Sequence, residues 1–122
     1  MYRIEVDSHF DAAHHIKDYD GKCQREHGHR WTVRLTISGS TLNQLNMLVD
    51  FTSVKASLKE LLDSYLDHYQ LNDTLSEPNL TAECLSNWIF NRLLKPAEFW
   101  GVNLDSVTIW ESPDCSVTYS EC

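Results

Sequence analysis

Cys23-Gln24-Arg25-Glu26-His27-Gly28-His29-Arg30-Trp31-Thr32-Val33-Arg34-Leu35-Thr36-Ile37 is the stretch that decides how this chain is read. From Trp31 onward apolar residues (Trp31, Val33, Leu35, Ile37) alternate with polar ones (Arg30, Thr32, Arg34, Thr36). A period of two is a half-buried strand, expected over residues 29 to 39 and ending at Gly39-Ser40. If the strand conformation runs back through Gly28, His27 and His29 share the face of Trp31, because side chains i and i+2 point the same way. Two imidazoles then converge. A third stands upstream, in Phe10-Asp11-Ala12-Ala13-His14-His15. Three neutral imidazoles with no fourth protein ligand describe an open zinc site, whose remaining position takes water or substrate.

Working outward, Tyr2, Ile4, Val6 and Phe10 alternate with Arg3, Glu5, Asp7 and His9, which predicts a strand over residues 2 to 10. Residues 11 to 27 lack periodicity and read as a long irregular connection carrying His14 and Cys23. The two strands are expected to pair antiparallel. Asp50 or Thr52 opens a helix whose apolar face is Phe51, Val54, Leu58, Leu61, Leu62 and Tyr65. A polar loop, 66 to 73, follows. A second helix is expected to start near Thr81, with Glu83 in its first turn, and to stop at Lys95-Pro96. Strands over 104 to 111 and from Cys115 through Tyr119 flank a turn at Ser112-Pro113-Asp114. The order β-β-α-α-β-β is an α+β pattern, with two helices on one face of an antiparallel sheet.

The 122 residues fit one domain, 1–122, and 42% hydrophobic content allows a real core. A formal net charge of -8 disfavours nucleic acid and anionic membranes as partners. The first seven residues carry alternating charges rather than an apolar run, and nothing downstream is long enough to span a bilayer. A cytoplasmic protein is expected. Cys23, Cys84, Cys115 and Cys122 include no Cys-x-x-Cys pair and are expected to be free thiols. Four strands leave two open sheet edges, which a ring of subunits would remove; a symmetric homo-oligomer is expected.

Each candidate site residue has two readings. His-x-His alone also describes ordinary loop histidines, but five of the six histidines fall within residues 9 to 29. Cys23 is either a general base beside the imidazoles, an inert thiol, or a fourth ligand that closes the metal site. His68 is either an acid/base group, whose tautomer Asp67 or another carboxylate would fix, or part of a solvated loop pair. Glu111 falls on the apolar parity of its strand, with Val107 and Ile109. It either reaches solvent at the strand end or accepts two parallel hydrogen bonds from a ligand edge such as that of a guanine or pterin.

Phe-Asp-Ala-Ala-His, Cys-x3-His-Gly-His, Leu-Val-Asp-Phe, Leu-Asp-His-x2-Leu-Asn, Asn-x-Thr-Ala-Glu and Trp-Glu-Ser occur in this order between about residues 4 and 119. That series resembles the family of 6-pyruvoyl-tetrahydropterin synthase and 6-carboxy-5,6,7,8-tetrahydropterin synthase. The resemblance implies the tunnelling fold, with subunits closing into a β-barrel as trimers or hexamers and active sites at their interfaces. It implies that His14, His27 and His29 hold Zn2+ and that Cys23 is the catalytic base. It further implies that Asp67 and His68 form an acid/base pair supplied by a neighbouring subunit. Glu111 would anchor the pterin's amino-pyrimidine edge, with Thr81 as a further pterin-binding residue. The substrate implied is 7,8-dihydroneopterin triphosphate. The three-residue spacing between Cys23 and His27 is similar to the carboxy branch, which serves queuosine and 7-deazapurine synthesis. The other outcomes are a pyruvoyl-type lyase and a non-catalytic zinc or pterin binder. His15, Leu80 and Tyr69-Gln70 depart from the usual family pattern, which bears on substrate contacts rather than on the metal ligands.

Overall fold

The computed structural model describes residues 1–121; the expected free thiol of Cys122 lies outside the described residues. Four strands form one antiparallel sheet in the order β1-β2-β3-β4, with β1 at Tyr2–His14, β2 at His27–Gly39, β3 at Asn103–Ser112 and β4 at Cys115–Tyr119. Helix α1 (Phe51–Tyr65), a short α2 (Leu71–Leu75) and the long α3 (Ala82–Trp100) lie between β2 and β3 in the chain. The alternation read from the sequence is the alternation observed. Trp31, Val33, Leu35 and Ile37 are buried, as are Val107 and Ile109 beside them. Against that face pack Val54, Leu58 and Leu62 of α1 and Leu85, Ile89 and Leu93 of α3, all in one core.

β1 is longer than the sequence pattern implied. It runs to His14, not residue 10, because β2 offers partners all the way: Asp11 pairs Arg30, Ala12 pairs His29, Ala13 pairs Gly28 and His14 pairs His27. Ala12 and Ala13 carry no polarity contrast, so the period vanishes from the sequence while the ladder continues. β2 likewise begins at His27 instead of 29. The connection shrinks to residues 15–26 and holds one 3-10 turn, Lys22–Gln24.

The helices also differ in two places. Asp50 is the α1 cap, its carboxylate accepting the Thr52 N–H at 2.8 Å. Thr81 caps α3 by accepting the Cys84 N–H at 3.2 Å. But α3 does not stop at Lys95-Pro96. It passes through Pro96 to Trp100 and ends at Gly101, whose φ of 72° is the left-handed C-cap conformation. Proline forfeits one backbone bond, yet Leu93 and Ala97 continue the buried stripe across it. The unexpected α2 starts within the loop expected at 66 to 73 and runs on to Leu75; Gln70 caps its first turn by accepting the Asp73 N–H at 2.8 Å.

Candidate metal and pterin site

The ladder end decides the site. Opposing β1 to β2 through His14 and His27 brings three imidazoles onto the buried face. Ring centroids are 4.5 Å apart for His14–His27, 5.1 Å for His14–His29 and 4.5 Å for His27–His29. Trp31 floors the cluster, edge-on to His14 at 4.8 Å and to His29 at 5.5 Å. Its indole N–H donates to the Ala12 carbonyl, which leaves an apolar ring surface beneath the imidazoles.

Main-chain carbonyls set two of the tautomers. The His14 Nδ1 lies 2.8 Å from the Leu80 carbonyl, and the His27 Nδ1 lies 2.7 Å from the Arg25 carbonyl. A carbonyl can only accept, so each Nδ1 carries a hydrogen and leaves Nε2 as the nitrogen free to offer a lone pair. This is the outer-shell arrangement of metal-binding histidines. Burial pushes the His14 imidazole below its ordinary value, outweighing both the Leu80 carbonyl and the nearby Glu111 carboxylate. Burial lowers His29 as well, again against the pull of Glu111. Both rings are therefore held neutral, as metal ligation requires.

Glu111 completes the group. The β3–β4 register shifts between Trp110 and Ser112, so Glu111 sits at a bulge, a device that re-aims a side chain. Its Oε1 lies 3.0 Å from the His14 Nε2 and 3.1 Å from the His29 Nε2. Those distances resemble ion pairs, but the His14 ring, neutral and holding its hydrogen at Nδ1, turns only a lone pair toward the carboxylate, which would repel it. The His29 Nε2 is buried and, although Glu111 Oε1 lies 3.1 Å away, the two are not aligned as a hydrogen bond, which leaves that nitrogen unsatisfied. An orphaned buried nitrogen beside inward lone pairs and a carboxylate fits a cation at their centre. The donor atoms of His14, His27, His29 and Glu111 all lie within 4.8 Å of one another.

Cys23 is not in this group. It stands half-buried in the 3-10 turn, where its carbonyl accepts the Ile16 N–H at 2.7 Å. The fourth donor beside the imidazoles is thus Glu111 and not the thiol. Cys23, Cys84 and Cys115 are all free. A cavity of about 290 Å³ opens beside the cluster, lined by His14, Thr81, Glu111, Cys115 and Ser116. A larger one, about 400 Å³, lies between Arg30, Arg34 and Trp110. Arg30 is already paired with Asp11 and Arg34 with Asp7, so we assign the chemistry to the smaller cavity.

Asp67 and His68 come together elsewhere. The His68 Nδ1 lies 3.0 Å from the Asp67 Oδ2. Asp67 Oδ1 accepts the Asp11 N–H at 2.9 Å, and this bond leads in holding the Asp67 carboxyl below its ordinary value. The His68 N–H donates to the Asp11 carbonyl at 2.6 Å, which helps to hold His68 at φ 64°. Donor atoms of Asp11, Asp67 and His68 form a second cluster. On β1 the Asp11 side chain points away from the face that carries His14, by strand parity. One protomer therefore keeps this pair apart from the imidazoles.

The sequence reading missed three contributors. The Leu80 and Arg25 carbonyls have no residue signature at all. Asn72, buried at 6% exposure, bonds the segment that follows His14; its only trace in the sequence was the Leu-Asn pair of a recurring motif.

Comparison with known proteins gives the family. Residues 3–122 match the family described as 6-pyruvoyl tetrahydropterin synthase. The chain belongs to that family. Within the 6-pyruvoyl tetrahydropterin synthase family, it is 36% identical to the 6-carboxy-5,6,7,8-tetrahydropterin synthase of Synechocystis, over 98% of this chain and 93% of that one. It is 28% identical to the Haemophilus influenzae protein of the same name, over 99% and 100% of the two chains. The solved 6-pyruvoyl tetrahydropterin synthase of Caenorhabditis elegans superposes with a TM-score of 0.87 at 25% identity, covering 99% of this chain and 96% of that one. The tunnelling fold implied by the motifs is the fold observed. No helix among the described residues is long and apolar enough to cross a membrane.

Proposed function

We propose that this protein is a zinc-dependent 6-carboxy-5,6,7,8-tetrahydropterin synthase, converting 7,8-dihydroneopterin triphosphate to 6-carboxytetrahydropterin, acetaldehyde and triphosphate. The observation that carries the proposal is the buried, partnerless His29 Nε2 at the centre of three converging imidazoles. The names of the Synechocystis and Haemophilus influenzae relatives support the carboxy branch, as does the short Cys23-to-His27 spacing. The pathway expected is queuosine and 7-deazapurine synthesis, in the cytoplasm.

In this reading His14, His27 and His29 hold the zinc ion through Nε2. When bound, zinc supplies Lewis-acid stabilisation of negative charge on the substrate's side-chain oxygens. Glu111 accepts two hydrogen bonds from the amino-pyrimidine edge of the pterin in the 290 Å³ cavity. Thr81 has spent its oxygen on the α3 cap, but its hydroxyl hydrogen remains available to the pterin. The Cys23 Sγ takes a proton from the side-chain carbon. The His68 Nδ1 lies 3.0 Å from the Asp67 Oδ2, so that Nε2 is the atom that takes up a proton and then returns it to substrate. The opposite facing of Asp11 and His14 on β1 argues that His68 serves the imidazole cluster of a neighbouring subunit. β1 and β4 are the edges of the sheet, and joining such edges around a ring of subunits brings the two halves together.

Incubating the protein with 7,8-dihydroneopterin triphosphate tests the proposal, with products identified by mass. The expected products are 6-carboxytetrahydropterin and acetaldehyde. Triphosphate release with 6-pyruvoyl-tetrahydropterin and no acetaldehyde would assign the protein to the pyruvoyl activity instead. Zinc binding without turnover would make it a binder.

A further inference from the structure

Asn72 is one of four polar side chains buried among the described residues. Its amide is fully used. Oδ1 accepts the His15 N–H at 2.9 Å and the Gln70 Nε2–H at 3.2 Å. Nδ2 shares its two protons among three carbonyls: His15 at 2.8 Å, Glu77 at 2.8 Å and Pro78 at 3.0 Å. One side chain thus takes both main-chain groups of the residue after His14, as a neighbouring strand would. The same amide grips the segment that leads, two residues later, to Leu80. The Leu80 carbonyl is the group that holds the His14 Nδ1–H, and the Leu80 N–H in turn donates to the His15 carbonyl at 3.3 Å.

We infer that Asn72 is a positioning residue of the histidine site: its amide clamps the His15 backbone to the 77–80 segment, and so fixes the ring orientation and tautomer with which His14 meets a metal ion. The amide of Asn72 touches neither the imidazole nor the cavity; it acts through the Leu80 carbonyl. A buried amide fits this task because it supplies both an acceptor and donors at one point, and because leaving any of these groups unpaired is costly. Gln70 belongs to the same clamp, reaching both Asn72 and the His15 Nδ1 at 3.2 Å each. The unusual His15 and the variant Gln70 are therefore contacts of one another. The inference rests on the reading that the three imidazoles bind zinc.

The test is Asn72→Ala, with Asn43→Ala as a matched control. Asn43 staples a different loop, accepting the Leu45 and Met47 N–H groups at 2.8 and 3.1 Å, beyond the far end of β2 from His27. Zinc affinity is measured by competition with a chromophoric chelator. The His14 tautomer of the metal-free protein is read from long-range 1H–15N spectra. Loss of an outer-shell partner typically costs roughly 10–100-fold in metal affinity. Asn72→Ala is expected to weaken zinc binding by that order and to lose the single Nδ1–H signal of His14, while Asn43→Ala changes neither. A folded Asn72→Ala protein with unchanged zinc affinity and an intact His14 tautomer overturns the inference.

If Asn72→Ala does not fold, the wild-type protein decides by hydrogen exchange. Coupling is reciprocal, so zinc must slow exchange of the His15 amide more than of the Leu45 and Met47 amides; equal protection overturns the clamp. A wild-type protein that binds no zinc refutes the metal reading, and the His14 tautomer in metal-free Asn72→Ala then tests the clamp by itself.

Discussion

Acidifying the metal-free protein should destabilise it in a window set by one buried and one half-buried imidazole. His14 is 1% exposed, and burial holds both it and His29 below the ordinary histidine value of 6.5. The unfolded chain takes up a proton at each site as pH falls through 6.5, while the folded chain does not. Stability is therefore fully present above about pH 6.5 and is lost as pH falls toward the lowered folded values. Each such proton gives a limiting slope of about 1.4 kcal/mol per pH unit, so two sites give at most about 2.7 kcal/mol per unit. His29 is partly open, its side chain 26% exposed, which trims its share. Against a typical total of about 5–15 kcal/mol, even half that limit is a large shift in urea midpoint. The assay is urea denaturation at pH 7.5, 6.5 and 5.5 in the presence of chelator, on wild type and His29→Asn. The variant should lose up to half the slope. Asp11 and Asp67, whose carboxyls are held below their ordinary value of 3.8, act only at lower pH and leave this window clear. Wild-type stability that stays flat or rises between pH 6.5 and 5.5 would refute the claim that the imidazoles are held neutral by burial.

Further outcomes are expected. His27→Ala should lose stoichiometric zinc by metal analysis, whereas Cys23→Ala should keep zinc and lose turnover by roughly 10²-fold or more, the scale of one proton-transfer group. Asp50→Ala removes the α1 cap and should cost about 1 kcal/mol in urea unfolding. Gly101→Ala places a side chain at φ 72° with no neighbour within 4 Å; the backbone alone should cost about 1–2 kcal/mol, and a larger loss would point to a packing role. Pro96→Ala should raise stability, by up to about 3 kcal/mol, because α3 already continues through that position.

How much of this was visible in the sequence depends on whether the signal was local. Trp31 to Ile37 alternates, so its strand and its buried face were legible. So was the shared face of His27 and His29. The β1 end was not, because Ala12 and Ala13 are indifferent to face and only pairing with His29 and Gly28 keeps them extended. Pro96 misled for the reverse reason: the local rule against proline was correct about the lost bond but blind to Ala97, whose burial carries the helix on. α2 is too short to show a period.

The site divides along the same line. The three imidazoles and Glu111 were each singled out from the sequence, but their convergence is a fact of register: His14 opposite His27, and Glu111 on a bulge of β3. The thiol offered as a fourth ligand stands outside the group, while Glu111, already on the inward parity of β3, brings its Oε1 to 3.0 and 3.1 Å from two of the imidazoles. The deciding tautomers belong to neither class, since the carbonyls of Leu80 and Arg25 are common to every residue type. It follows that grafting His-Gly-His and one upstream histidine onto another hairpin would reproduce the ligands without their orientation. What would fit the cluster to a metal ion is the pair of loops that bring two carbonyls to two Nδ1 atoms, and one of those loops is bonded by Asn72.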